Sequence, residues 1–203
     1  MSASDAPRKP EPAPPGPDHL FDEAMRFVFR WEGGWVDHPA DPGGATNHGI
    51  SLRYAIKLGT LLDLDRDGDV DAADIRLITP PVAATMYRRD FWWDVRADAL
   101  PPALAVVAFD AAINCGPDRA RRWLQQAVGA KVDGAIGPRS LAAAAAADPR
   151  AAVREMLALR LQHHASLPTM RNFGLGWMRR CADLALFAAR YLPPETPPPE
   201  NPA

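Results

Sequence analysis

Glu32 lies between Trp31 and Trp35 in the stretch RWEGGWVDHPADPGGATNHGIS, residues 30–51, with Asp41 and Thr46 further along the same segment. Cleaving a glycosidic bond takes a carboxylic acid that still holds its proton near neutral pH, to hand to the leaving oxygen. Two features favour that role for Glu32. It falls at the end of an amphipathic helix, where the macrodipole disfavours a further negative charge. It is also flanked by two indoles that can exclude water from it. Asp41 and Thr46 are placed to hold or activate a water on the other face of the sugar, as inverting cleavage requires. Taken singly, a glutamate at a helix end is commonly a surface residue, and an aspartate before Pro-Gly-Gly a turn former. The combination points to a site whose glycines let the backbone approach a bulky glycan, with Trp35 as the stacking surface.

Helices must carry this segment. Leu20, Phe21, Ala24, Phe27, Val28 and Trp31 repeat at helical spacing after Asp18, a capping residue, and Gly33–Gly34 stops the run. From Trp35 to Gly49 no period is sustained, and a short β-hairpin is expected, with Pro39 and Pro42 keeping its strands short. Ser51 caps a second helix over 52–62, and Thr79 with Pro80–Pro81 starts another that reaches about Trp92. Pro101–Pro102 opens an apolar helix that ends at Gly116. Further helices are predicted over 118–128, 138–147, 151–164 and about 175–192, each with proline or a capping residue near its start. The fold class is mainly α, with one small irregular or β-containing patch after the first helix.

Residues 63–74, DLDRDGDVDAAD, hold six Asp against one Arg in a chain of net charge −2. Asp63, Asp65, Asp67, Gly68 and Asp74 follow the EF-hand spacing, with Asp in place of the closing Glu. Alternate side chains in such a loop converge on a cation, the glycine allows the sharp turn, and the next residue, Asp69, offers its carbonyl. Asp71 stands where a ligand often acts through water, and Val70 is the apolar tie. The loop resembles those of dockerin modules, which also end in Asp. A structural Ca2+ is expected on Asp63, Asp65, Asp67, Asp69, Asp71 and Asp74, and no cofactor for catalysis.

From Asp110 to Arg190 the chain carries twelve Lys/Arg against six Asp/Glu. A mildly basic half suits an anionic polymer, either cell-wall material or nucleic acid. Cys115 and Cys181 allow only one bridge, and both are read as small buried residues. The first twenty residues contain no apolar segment of the secretory kind, and no run is long enough to span a membrane. Proline-rich ends flank a folded part of about residues 18–192.

The segment WEGGWVDHPADPGGATNHGIS resembles the N-terminal motif of glycoside hydrolase family 108, bacterial and phage N-acetylmuramidases. The matching residues are Glu32-Gly33-Gly34-Trp35 and then Asp41-Pro42-Gly43-Gly44 through Thr46 to Gly49-Ile50, with Trp35 where tyrosine is expected. The Glu, Asp, Thr order is also similar to that of phage-type lysozymes. The segment FDAAINCGPDRARRWLQQAVGAKVDGAIGPRSLAA and the later GWMRR resemble the peptidoglycan-binding region that accompanies these enzymes. The resemblance implies a lysozyme-like helical fold. It also implies cleavage of the β-1,4 bond between N-acetylmuramic acid and N-acetylglucosamine, with Glu32 as catalytic acid.

The expected organisation is a leader at 1–17, a catalytic region at 18–100 with the calcium loop inserted at 63–74, a peptidoglycan-binding region at 101–192, and a tail at 193–203. Trp35, Asn47, Asp110 and Asn114 are the expected substrate contacts. Asp110 and Asn114 lie one turn apart on an otherwise apolar helix, where glycan hydroxyls or an interhelical hydrogen bond would satisfy them equally well. Peptidoglycan glycan strands are the expected partner, with no nucleic acid, no stable membrane association and a monomeric state. Synthesis in the cytoplasm without a Sec signal, and action in the periplasm or cell wall, would require a holin or a secretion system for release. A lytic transglycosylase, which would keep the acid and lose the water-activating role, and two rival readings from other classes remain open at this point. One is a non-catalytic wall-binding or secretion-accessory protein. The other is a zinc amidase using Asp37, His38, Asp41 and His48, although no H-E-x-x-H spacing is present.

Overall fold

The first helix, α1, runs Pro17–Trp31 and turns its apolar stripe inward, with Phe21, Phe27 and Val28 almost fully buried. Asp18, expected as the cap, instead sits in the first turn and pairs with Arg88 at 2.7 Å. The computed structural model describes residues 17–37 and 44–194. Asp41, His38, the proline-rich leader before Pro17 and the tail beyond residue 194 lie outside the described residues.

Beyond α1 the irregular patch is a small antiparallel hairpin. Its strands β1 (Thr46–Asn47) and β2 (Ile50–Ser51) pair Thr46 with Ser51 and Asn47 with Ile50. His48 and Gly49 connect them, both with positive φ (48° and 78°), which is the type I′ geometry that suits the strand twist. Val36 adds a bridge to Thr46 through two backbone bonds of 2.8 Å. The Trp35 segment therefore returns alongside the hairpin rather than leaving the body of the protein.

Ser51 caps α2 (Leu52–Leu58) by accepting from the Tyr54 amide at 3.3 Å. Gly59, at φ 60°, divides what was expected as one helix, and 59–62 form a tighter 3-10 turn. After the acidic loop come α3 (Ala72–Leu77) and α4 (Pro80–Tyr87), which continues into a five-residue π turn, Arg88–Trp92. Trp92 is fully buried edge-on to Phe21 and Phe109.

At the centre is α5 (Pro102–Cys115), with eleven of its fourteen residues buried. A helix apolar on every side has to be surrounded. It packs against α1, α6 (Pro117–Ala127), α8 (Pro149–Ala165) and α9 (Met170–Ala189), and α7 (Pro138–Ala146) packs on α6. One contiguous core extends from Leu20 to Ala188. The last helix begins five residues before the expected start, because packing overrides the helix-weakening of Gly174 and Gly176.

The loop between α6 and α7 is wound around the buried Gln125. Its amide donates to Asp133 Oδ1 (2.9 Å) and the Ala135 carbonyl (3.0 Å), and its carbonyl oxygen accepts from the amides of Asp133 and Gly134. Cys115 and Cys181 are free, buried thiols, pushed up by burial above the usual thiol range. Among the described residues no helix is long and apolar enough to cross a membrane.

Candidate active site

Glu32 stands one residue beyond α1, its amide still bonded to the Val28 carbonyl at 2.9 Å. Its carboxylate enters a cleft of about 330 Å³ lined by Gly49, Ile50, Tyr54, Tyr87, Phe91, Ile113 and Asn114. Tyr87 and Phe91 come from α4 and the π turn, and Ile113 and Asn114 from the end of α5. Tyr54, from α2, donates to Asp90, whose carboxyl partial burial pushes above the usual range.

The carboxylate's main partner is a residue to which the sequence reading gave no chemistry. Arg180, on α9, donates from Nη1 to Glu32 Oε1 at 2.9 Å across 148 positions of chain. The same guanidinium donates to Asp110 Oδ1 from Nη2 (2.7 Å) and Nε (3.1 Å). Arg160, on α8, holds the other Asp110 oxygen at 2.5 Å. His164 accepts from Arg160 Nε at 3.3 Å, and burial, then Arg160, pushes its imidazole down to about 4, so it is neutral at pH 7. Burial works against the charged form of Asp110, but the two arginines outweigh it and hold the carboxyl below the usual range. Asn114, with its amide turned so that Oδ1 faces Arg180, accepts from Nη2 at 2.8 Å.

Gly49 fixes the opposite wall. A Cβ there would collide with Tyr87 Oη and lie 3.1 Å from Glu32 Oε2, at a φ of +78° that side chains resist. Tyr87 Oη donates to the His48 carbonyl at 3.2 Å, so the hairpin turn is fastened to α4 beside the glutamate. Burial, then the charge of Glu32, pushes the Tyr87 phenol up, so it stays a neutral donor. Gly49→Ala should therefore lower turnover and cost about 1–3 kcal/mol of stability, read by rate assay and thermal melting. An alanine variant with wild-type rate and melting point would show that the turn can move away freely.

The other expected site residues are distributed differently. Asn47 is buried, and its amide donates to the carbonyls of Ile75 and Ile78, both at 3.1 Å. It pins the hairpin to α3 and is not among the residues lining the cleft. Asp110 is likewise fully engaged by arginines, so the interhelical bond, not a glycan hydroxyl, satisfies it. Trp35 lies against Arg76, with the guanidinium 4.5 Å from its ring centroid, and lines a separate shallow hollow with Asp37 and Leu77. Aromatic enclosure of Glu32 falls to Tyr54, Tyr87 and Phe91 instead. Thr46 Oγ1 donates to the Gly44 carbonyl at 3.4 Å, and its side chain is not among those lining the cleft.

In the acidic loop Asp63, Asp65 and Asp67 bring carboxylate oxygens together, and Asp69, Asp71 and Asp74 form a second group. Asp71 caps α3 by accepting from the Ala73 amide at 2.6 Å. Asp74 is buried and accepts from the amides of Leu64 (2.6 Å) and Asp71 (2.9 Å). Burial opposes its ionisation, yet these backbone donors hold it below the usual range. Asp67 raises its neighbour Asp69, a sign of repulsion between the two carboxylates. Among the described residues, the groups able to hold a metal are these aspartates alone, and His48 belongs to none.

A glutamate at the floor of an aromatic-walled cleft, on a mainly helical frame around one buried helix, defines a lysozyme-like glycoside hydrolase. Residues 25–116 match the model of Glycosyl hydrolase 108, and residues 119–182 match that of a Predicted Peptidoglycan domain. Among solved structures, that of Brucella abortus SagA is similar, at 37% identity and a TM-score of 0.72 over 86% of this chain and 96% of that one. No curated protein matches the chain. The chain belongs to the glycosyl hydrolase 108 family and is a glycoside hydrolase that acts on peptidoglycan.

Proposed function

We propose that this enzyme is an N-acetylmuramidase, cleaving the β-1,4 bond between N-acetylmuramic acid and N-acetylglucosamine, with Glu32 as the general acid. The observation that carries the assignment is the asymmetry of the Glu32 carboxylate. Oε1 is held by Arg180, whereas Oε2 faces Gly49 and the cleft and has no hydrogen-bond partner among the described residues. A glycosidic oxygen entering the cleft would meet the free oxygen. In this reading Asp41 holds the attacking water, while Thr46, whose hydroxyl donates to the Gly44 carbonyl, supports the hairpin beside the cleft. Action on peptidoglycan puts the work in the periplasm or cell wall.

Digestion of purified peptidoglycan tests the assignment. Soluble glycan fragments that still carry their stem peptides are expected. Free stem peptides would indicate an amidase, and no soluble product a binding module. Asp41→Ala should lower turnover about 100-fold with an unchanged melting point. Undiminished turnover would remove Asp41 from the mechanism.

The acidic loop is a structural Ca2+ site in the same proposal, held by Asp63, Asp65 and Asp67 with the carbonyl of Asp69. Support comes from Asp63 Oδ1, which is buried and has no partner, and from the clustered carboxylates beside it. Asp74 and Asp71 brace the loop and α3, and the partly buried Val70 ties the loop to the core. The cation would relieve the repulsion and stiffen the link between α2 and α3, with no part in bond cleavage. A chelator should lower the melting temperature by several degrees and Ca2+ restore it. Indifference to both would exclude the site.

A further inference from the structure

We propose that Arg180 is a positioning residue for Glu32, so that the region matching the peptidoglycan domain completes the catalytic centre as well as contacting the wall. The inference rests on Glu32 being the acid, as proposed above. Glu32 belongs to the first matched region and Arg180 to the second. The backbone alone gives the glutamate little hold, because it has left α1 and is followed by two exposed glycines, Gly33 and Gly34. What fixes its carboxylate is the guanidinium, and the guanidinium is itself fixed. Nε and Nη2 of Arg180 grip Asp110, which leaves Nη1 aimed at Glu32 Oε1. Asp110 cannot yield, since Arg160 holds its other oxygen.

The linkage joins α5, α8 and α9 to the end of α1. Asp110 and Arg160 are each 1% exposed, and Arg180 is 7% exposed, against 21% for Glu32. Asp110 and the two guanidiniums form the buried part of the unit, where each charge needs its partner, and Arg180 carries the linkage outward to the partly exposed Glu32. Its last link is the one that reaches the cleft. The planar fork is what lets one side chain serve two carboxylates, and an ammonium has neither the breadth nor the fixed donor directions to replace it. With Oε1 occupied, Oε2 is turned to the cleft, which is the orientation proton transfer needs.

A merely structural brace would behave differently under substitution. Arg180→Met leaves the Asp110–Arg160 pair intact and frees Glu32, which is exposed enough to be hydrated. Arg180→Lys keeps the charge without the fork. The kcat and KM of both variants are measured on soluble, uncrosslinked glycan strands, with melting temperature and near-ultraviolet circular dichroism recorded alongside. Both should lose about 10–100-fold in kcat, with KM within about twofold of wild type. If the methionine variant does not fold, the lysine variant carries the test. A folded variant with wild-type kcat, or a loss confined to KM, would overturn the inference. An inactive wild type would instead overturn the reading of Glu32, so the two failures are distinguishable.

Discussion

Glu32→Gln should reduce peptidoglycan hydrolysis by about 1,000-fold or more while leaving the melting temperature near that of wild type. The amide has the same shape as the acid and keeps an oxygen to accept from Arg180 Nη1, so the arginine–aspartate assembly behind it is not disturbed. What it lacks is an acidic proton to give the leaving oxygen. Loss of rate with no loss of fold is therefore the signature of chemistry at this position. A glutamine variant that retained a tenth of the activity would show that the leaving group is protonated by something else.

The second large effect concerns stability. Asp110→Ala removes the one carboxylate shared by Arg160 and Arg180, and leaves two buried guanidiniums facing each other without it. Breaking a buried pair from one side costs about 3–5 kcal/mol, which in a domain of this size lowers the melting temperature by about 10 °C. Asp110→Asn, which retains an acceptor, should cost less. The pH dependence follows from the depressed carboxyl of Asp110, where the arginines outweigh burial. Its contribution is fully present above the ordinary aspartate range, near pH 4. It is lost as the pH falls through that range toward the lowered native value. Melting curves between pH 3 and 7 should show the wild type losing this advantage over Asp110→Ala at the acid end; a constant difference would contradict the charge account.

Much of the frame was legible because local rules and packing agree. The spacing of Leu20, Phe21, Phe27 and Val28 marks α1, Pro102 and Gly116 bracket α5, and Ser51 caps α2 as its residue type suggests. The His48–Gly49 turn was harder to place, since His gives little warning of a positive φ. Gly59 and Gly174 carry the same residue signal with opposite outcomes, one dividing a helix and the other lying within it, because packing decides between them.

At the site the identity of Glu32 was readable, and its environment was not. The flanking tryptophans suggested an aromatic enclosure, but Trp35 pairs with Arg76 and the walls come from Tyr54, Tyr87 and Phe91. Asn47 was expected to contact the glycan, and Asp110 suited a glycan or an interhelical bond equally well, yet each is consumed by the protein itself. Arg180 was visible only as part of the GWMRR motif. Nothing in spacing relates it to a glutamate 148 residues earlier. Ion pairs between distant helices depend on tertiary arrangement, for which periodicity and capping carry no signal.

The identity of the new chain end tests the central claim most directly. Purified peptidoglycan is digested to completion, reduced with borohydride, and its fragments are analysed by mass spectrometry. An N-acetylmuramidase acting with water predicts N-acetylmuramic acid at every new reducing end, converted to the muramitol form, and none of it from Glu32→Gln. Ends carrying 1,6-anhydro-muramic acid, or reduced N-acetylglucosamine, would contradict it.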